Sequence, residues 1–107
     1  MKLHIKDRLF MPQILPAQNT FLEFNLKKSI LEKVAITAKE REDFKIVSNK
    51  EEGTITWDSE KDMAEPIVVD FSKEEMAYLK KGCEALSSAP YPDDFWVTVE
   101  KIYNEAE

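Results

Sequence analysis

The sequence predicts an α+β domain in which helices pack on a small antiparallel sheet of two or three strands, in the order ααα-ββ(β)-αα. Three observations carry that expectation. Apolar residues recur at helical spacing toward both ends of the chain, as in Ile30, Leu31 and Val34 or Met76, Leu79 and Cys83. The middle of the chain switches to strand period around Ile55 and Trp57. A length of 107 residues accommodates one domain, 1–107, and no second one.

Residues 3–15 are apolar in pattern, with Leu3, Ile5, Leu9, Phe10, Met11, Ile14 and Leu15. Asp7 suits a helix cap, whereas Pro12 would remove an interior hydrogen bond. The segment is read as a short or kinked helix, and the sequence leaves its helicity at 5–15 open. Pro16 to Thr20 forms a turn. Phe21 to Ala35 reads as a helix with Phe24, Ile30, Leu31 and Val34 on its apolar side. Thr37 and Glu40 make a capping box, which starts a short helix running to about Phe44.

Ile46 and Val47, a polar turn at 49–53 and Thr54 to Trp57 suggest a hairpin, although 44–48 is not decided as a strand. Residues 58–65 read as a polar loop. Pro66 to Phe71 reads as a strand, with proline at its start where it is tolerated. Ser72 and Glu75 form a second capping box, and Phe71 and Met76 occupy the two staple positions around it. The helix that follows carries Met76, Leu79, Cys83 and Leu86 on one face, with Gly82 marking a close approach of backbone. Ser87 to Pro92 ends it. A last helix at about 93–105 carries Phe95, Trp96, Val99, Ile102, Tyr103 and Ala106.

Charge is distributed unevenly. Residues 1–50 hold ten basic and six acidic side chains, a net of +4, while residues 51–107 hold five and fifteen, a net of −10. The overall −6 disfavours non-specific binding to nucleic acid or to an anionic membrane. One cysteine, Cys83, excludes an intramolecular disulfide and suits a reducing, cytoplasmic compartment. Met1 to Arg8 lacks the apolar run of a signal peptide, and no stretch reaches the ~20 apolar residues of a membrane span. Two glycines, Gly53 and Gly82, are too few for a phosphate-cradling loop, and one histidine with one cysteine cannot form a Cys/His zinc site.

The segment from Arg8 to Asp58 resembles a family of small phage- and prophage-encoded proteins of unknown function. Arg8-Leu9, Ile14-Leu15-Pro16 and Phe21 resemble its opening segment, with Pro12 at a position that the family keeps apolar. Glu32 to Phe44, with Thr37 and Glu40, is similar to its helix–helix join. Ile55-Thr56-Trp57-Asp58 resembles one of its strands. The second half, with Glu100-Lys101 in its terminal helix, matches loosely. The resemblance implies a phage, or the cytoplasm of its bacterial host, as context, and transfers no catalytic residue.

Candidate sites were weighed against plain structural roles. Asp58, Glu60 and Asp62 have the 1, 3, 5 spacing of a calcium loop, but Met63 and Val69 stand where that loop requires glycine and glutamate, so a solvated loop is expected. His4 lacks a local nucleophile and is read as exposed. Cys83 lies on an apolar stripe and is read as buried packing. The pairs Glu51/Glu52, Glu74/Glu75 and Asp93/Asp94 are adjacent in sequence and point apart. Lys27, Lys28, Lys33, Lys39 and Arg41 interleave with Glu23, Glu32, Glu40, Glu42 and Asp43, which describes a solvated helix face better than a nucleic-acid surface.

No catalytic, cofactor or metal residue is assigned. Tyr91, Phe95, Trp96 and Tyr103 are the strongest candidates for a partner surface, with core packing as their default role. The expected function is therefore that of a non-enzymatic accessory protein acting by protein contact, as a homo-oligomer or on a host or phage protein. The alternatives are an acidic inhibitor or decoy that engages a basic host protein through 51–107, and a weak nucleic-acid binder acting through the helix at 21–35. An enzyme ranks last.

Overall fold

A computed structural model describes residues 1–49 and 51–106. The chain runs β1 (Lys2–Leu3), α1 (Ile5–Ile14), α2 (Phe21–Val34), α3 (Ala38–Asp43), β2 (Val47–Asn49), β3 (Thr54–Thr56), α4 (Ser59–Ala64), β4 (Ile67–Val68), α5 (Lys73–Ala85) and α6 (Asp93–Ala106). The fold is α+β, with two separate two-stranded antiparallel sheets.

Local chemistry explains most helix starts. Thr20, Thr37 and Ser72 each accept a hydrogen bond from the backbone N–H three residues on, and Glu23, Glu40 and Glu75 return one to the cap residue. Each exchange satisfies two of the backbone donors that a helix start leaves free. Phe71 and Met76 flank the third box and are half-buried against the core.

α1 begins at Ile5 with His4 as its cap. Asp7 stands at the third helical position and accepts from the His4 N–H. Pro12 lies inside α1 on its exposed side. Its ring forfeits a bond to the Arg8 carbonyl without disturbing the buried face of Ile5, Met11 and Ile14.

The expected packing of helices onto one sheet is not what holds the molecule together. The core lies between helices, and α5 against α6 is its most extensive helix contact. Leu3, Met11, Ile14, Ile30, Leu79, Phe95 and Ile102 fill it at near-zero exposure. The strands sit at its margins. β1, which the sequence reading placed within the first apolar segment, pairs with β4 in the register Leu3↔Ile67. The strand expected over 66–71 is only two residues long, matching its partner β1. The Met1 amine donates to the Val69 carbonyl, and the Val69 N–H donates to the Met1 carbonyl.

β2 and β3 form the expected hairpin in the register Ser48↔Ile55, with Gly53 in the left-handed region at φ +66° and Lys50 outside the described residues. All six strand residues are exposed.

Residues 58–65 are not a loop. Asp58 caps α4 by accepting from the Lys61 N–H, and Asp62 turns inward and is buried. The acidic 1, 3, 5 spacing is therefore divided between a cap, an exposed Glu60 and a buried tie.

Gly82 marks where α5 crosses the end of α1. A Cβ there would lie 2.7 Å from the Ile14 carbonyl oxygen, so only glycine permits this approach.

Candidate functional site

The buried ionisable groups are organised into four ties, each joining elements far apart in sequence. Arg8, 2% exposed at its side chain, reaches from α1 to the end of α2 and the start of α3. Its Nε donates to the Val34 carbonyl at 3.0 Å and its Nη2 to the Ala35 carbonyl at 2.5 Å. The same guanidinium grips Glu40 with both Nη atoms, at 2.5 and 2.9 Å. The two carbonyls are among those a helix end leaves without intrahelical partners. The Arg8 bonds, helped by the Thr37 N–H, hold the Glu40 carboxyl down at about 2 despite partial burial.

The second tie joins α1 to α6. Asp7 accepts from the Thr98 hydroxyl at 2.8 Å and from Lys101 Nζ at 2.9 Å, besides the His4 N–H. Burial pushes its pKa up, but these bonds and the Lys101 charge outweigh burial, and the carboxyl titrates below its ordinary range.

The third tie joins α4 to the start of α1. Asp62 Oδ1 accepts from the Ile5 N–H at 2.9 Å, and His4 Nδ1 lies 3.3 Å from the Asp62 carbonyl oxygen. His4 is therefore half-buried against α4 and not the freely exposed residue that its terminal position suggests.

The fourth tie joins α2 to α5. Glu75 Oε1 accepts from Lys33 Nζ at 2.6 Å and from the Ser72 N–H at 2.7 Å. Burial raises the Glu75 pKa, and Lys33, Ser72 and Ser29 together outweigh it, so the net shift is downward.

Tyr78 adds a neutral link, its hydroxyl donating to Asn19 Oδ1 at 2.5 Å. These bonds pin the buried carboxylates in place, although Glu75 Oε2 is buried without a hydrogen-bond partner, and among the described residues Asp7, Asp62 and Glu75 line none of the surface grooves.

The four residues expected to form a partner surface divide in the structure. Phe95 is 1% exposed and belongs to the core, edge-on to Phe10 at 5.3 Å. The reason is its place on α6, on the same side as Thr98, Val99 and Ile102, all buried. Tyr91 stacks on Phe95 at 4.4 Å and meets Trp96 edge-on at 5.6 Å. Tyr91, Trp96 and Tyr103 are half-buried, each packing against the core. Trp96 and Tyr103 line an open groove of about 560 Å³ between α5 and α6.

Cys83 and Val99 also line that groove. The Cys83 thiol donates to the Val99 carbonyl at 3.8 Å, and burial pushes its pKa up to about 11. Such a thiol is packing, as expected, and a poor nucleophile.

The α2 surface departs from its reading in two respects. Its cations are largely committed. Lys33 holds Glu75, and Lys27 Nζ donates to the Pro16 carbonyl. Glu23, on the same helix, pairs with Lys81 of α5. The apolar side is also shorter than expected. Ile30 and Val34 are buried, but Phe24 is 54% exposed, with Phe21 and Leu22 at 77% and 76%. The first turn of α2 lies alongside α5, where Glu23 meets Lys81, and these three side chains stay in solvent around it. Phe24 sits at the margin of the stripe made by Ile30 and Val34, and Phe21 and Leu22 lie outside the apolar side that spacing assigned.

No described helix is long and apolar enough to cross a membrane. Comparison of the chain with protein-family models, curated proteins and solved structures finds no match.

Proposed function

We propose that this chain is a non-enzymatic accessory protein of phage or prophage origin. It works in the cytoplasm of a bacterial host by protein contact, including pairing with a second copy of itself. The observation that carries this reading is the bare first turn of α2. Phe21, Leu22 and Phe24 are more than half exposed within four residues, on a helix whose later turns bury Ile30 and Val34. Covering a large apolar side chain is worth about 1.5–3 kcal/mol, so three together provide a driving force for association. The commitment of Asp7, Arg8, Glu40, Asp62 and Glu75 to structural ties supports the non-enzymatic part.

Sedimentation equilibrium at micromolar concentration tests the pairing. The wild type is expected to self-associate, and the triple variant Phe21→Ser, Leu22→Ser, Phe24→Ser to be monomeric with an unchanged urea midpoint. A wild type that stays monomeric, or a triple variant that associates equally well, overturns it.

A further inference from the structure

We propose that the groove between α5 and α6 is a docking site for an arginine side chain on a basic segment of a partner protein. This rests on the protein-contact reading above but concerns a different face of the molecule. α5 contributes Cys83 and Glu84, the turn after it Ser87, and α6 contributes Trp96, Val99, Glu100 and Tyr103.

The chemistry of the lining selects the occupant. Trp96, Glu100 and Tyr103 follow one another at spacings of four and three, which places a carboxylate between two aromatic rings on one helix face. Glu84 adds a second carboxylate from the facing helix. Both glutamates are exposed, and among the described residues neither makes an ion pair or a side-chain hydrogen bond. The floor offers nothing polar to a ligand, since the Cys83 thiol is already turned to the Val99 carbonyl. An apolar floor, aromatic walls and unpaired carboxylates at the rim together fit a cation carried on an aliphatic stem.

The Tyr103 ring already receives one cation. Lys80 Nζ lies 5.4 Å from its centroid and its charge repels a second cation there, which leaves Trp96 as the ring for an incoming guanidinium. Arginine fits better than lysine, because a planar guanidinium stacks on an aromatic ring and bonds a carboxylate with two parallel donors. A volume of about 560 Å³ also admits the residues flanking it. Phosphate-bearing partners are disfavoured by the same two carboxylates and by the net −10 of residues 51–107.

The test uses the full chain and the peptide acetyl-Ala-Arg-Ala-Ala-Arg-Ala-amide, followed by two-dimensional NMR. A second peptide carries citrulline, the neutral isostere, in place of arginine. The arginine peptide is expected to shift Trp96, Glu100 and Tyr103 together, and the citrulline peptide to bind at least fivefold more weakly. Glu84→Gln with Glu100→Gln is expected to weaken the arginine peptide at least fivefold with no change in urea midpoint. Equal binding of the two peptides, an unaffected double variant, or shifts spread over Glu51, Glu52, Asp93 and Asp94 instead of the groove would each overturn the proposal. Self-association, read on the same samples by sedimentation, separates the outcomes. A groove that ignores arginine in a protein that still pairs through α2 defeats this inference alone. A monomer that binds the peptide defeats only the pairing.

Discussion

Arg8→Met removes a buried guanidinium and keeps most of its aliphatic bulk. Four hydrogen bonds are lost: one each to the Val34 and Ala35 carbonyls and two to Glu40. Breaking a buried ion pair by deleting one partner costs about 3–5 kcal/mol, because the remaining groups stay desolvated. Glu40 supplies an internal measure of the same tie. Its carboxyl is held at about 2 instead of 4.5. That difference corresponds to about 3 kcal/mol. Glu40 is 22% exposed at its side chain, so solvent screening trims its share to about 2 kcal/mol.

The folded-state pKa is depressed, so this contribution is complete above pH 4.5 and is lost as pH falls toward 2. Urea unfolding followed by circular dichroism at pH 7 and pH 2.5 is the assay. Arg8→Met is expected to cost about 3–5 kcal/mol at pH 7, and about 2 kcal/mol less at pH 2.5, where the unfolded chain already binds the Glu40 proton and most of the linked stability is gone. Glu40→Gln retains a side chain able to cap Thr37, and is expected to show the same convergence in acid with a smaller loss at pH 7. A cost below about 1 kcal/mol at pH 7, the size of an exposed pair, refutes the tie. So does a cost that is equal at both pH values.

Three further outcomes follow from the packing. Gly82→Ala removes a helix-weakening glycine worth ~1 kcal/mol, yet is expected to be net destabilising by about 1–3 kcal/mol in a urea titration, because its Cβ meets the Ile14 carbonyl at 2.7 Å. Asp7→Asn should cost about 3 kcal/mol at pH 7 by stranding Lys101 and Thr98. Since Asp7 titrates below its ordinary range, that variant and the wild type should converge as pH falls through it, as read by thermal melts across pH 7 to 2. Cys83, pushed up to about 11, should react with a thiol reagent at pH 8 about a hundredfold more slowly in the native protein than in urea. Equal labelling rates would contradict its burial.

Local signals were the most legible part of the fold. The Thr37–Glu40 and Ser72–Glu75 boxes, the staple at Phe71 and Met76, and the stripes on α5 and α6 could be read because each depends on residues within a few positions of one another. α4 was hidden. Six residues of SEKDMA carry no apolar stripe, and the helix is held by a cap at Asp58 and by Asp62 gripping the start of α1, a partner far away in sequence. Phe24 departs for a local reason, for it sits at the margin of the stripe made by Ile30 and Val34 and remains 54% exposed. The candidate surface was half legible. Tyr91, Trp96 and Tyr103 retain exposed area, Phe95 does not, and the facing wall of Glu84 and Ser87 comes from α5 and the turn after it.

The sequence by itself determined the α+β class and the places where α2, α3, α5 and α6 begin, since propensity, capping and periodicity act over a few residues. Only the tertiary structure decided how the charges are used. The uneven +4 and −10 halves are partly cross-linked, Arg8 to Glu40 within the first half and Lys33 to Glu75 and Asp7 to Lys101 across the two. Among the described residues, Glu84 and Glu100 remain unpaired beside the aromatic groove. Burying a charge is tolerated only where a partner arrives to meet it, and which partner arrives depends on how the helices pack and not on the order of residues along any one of them.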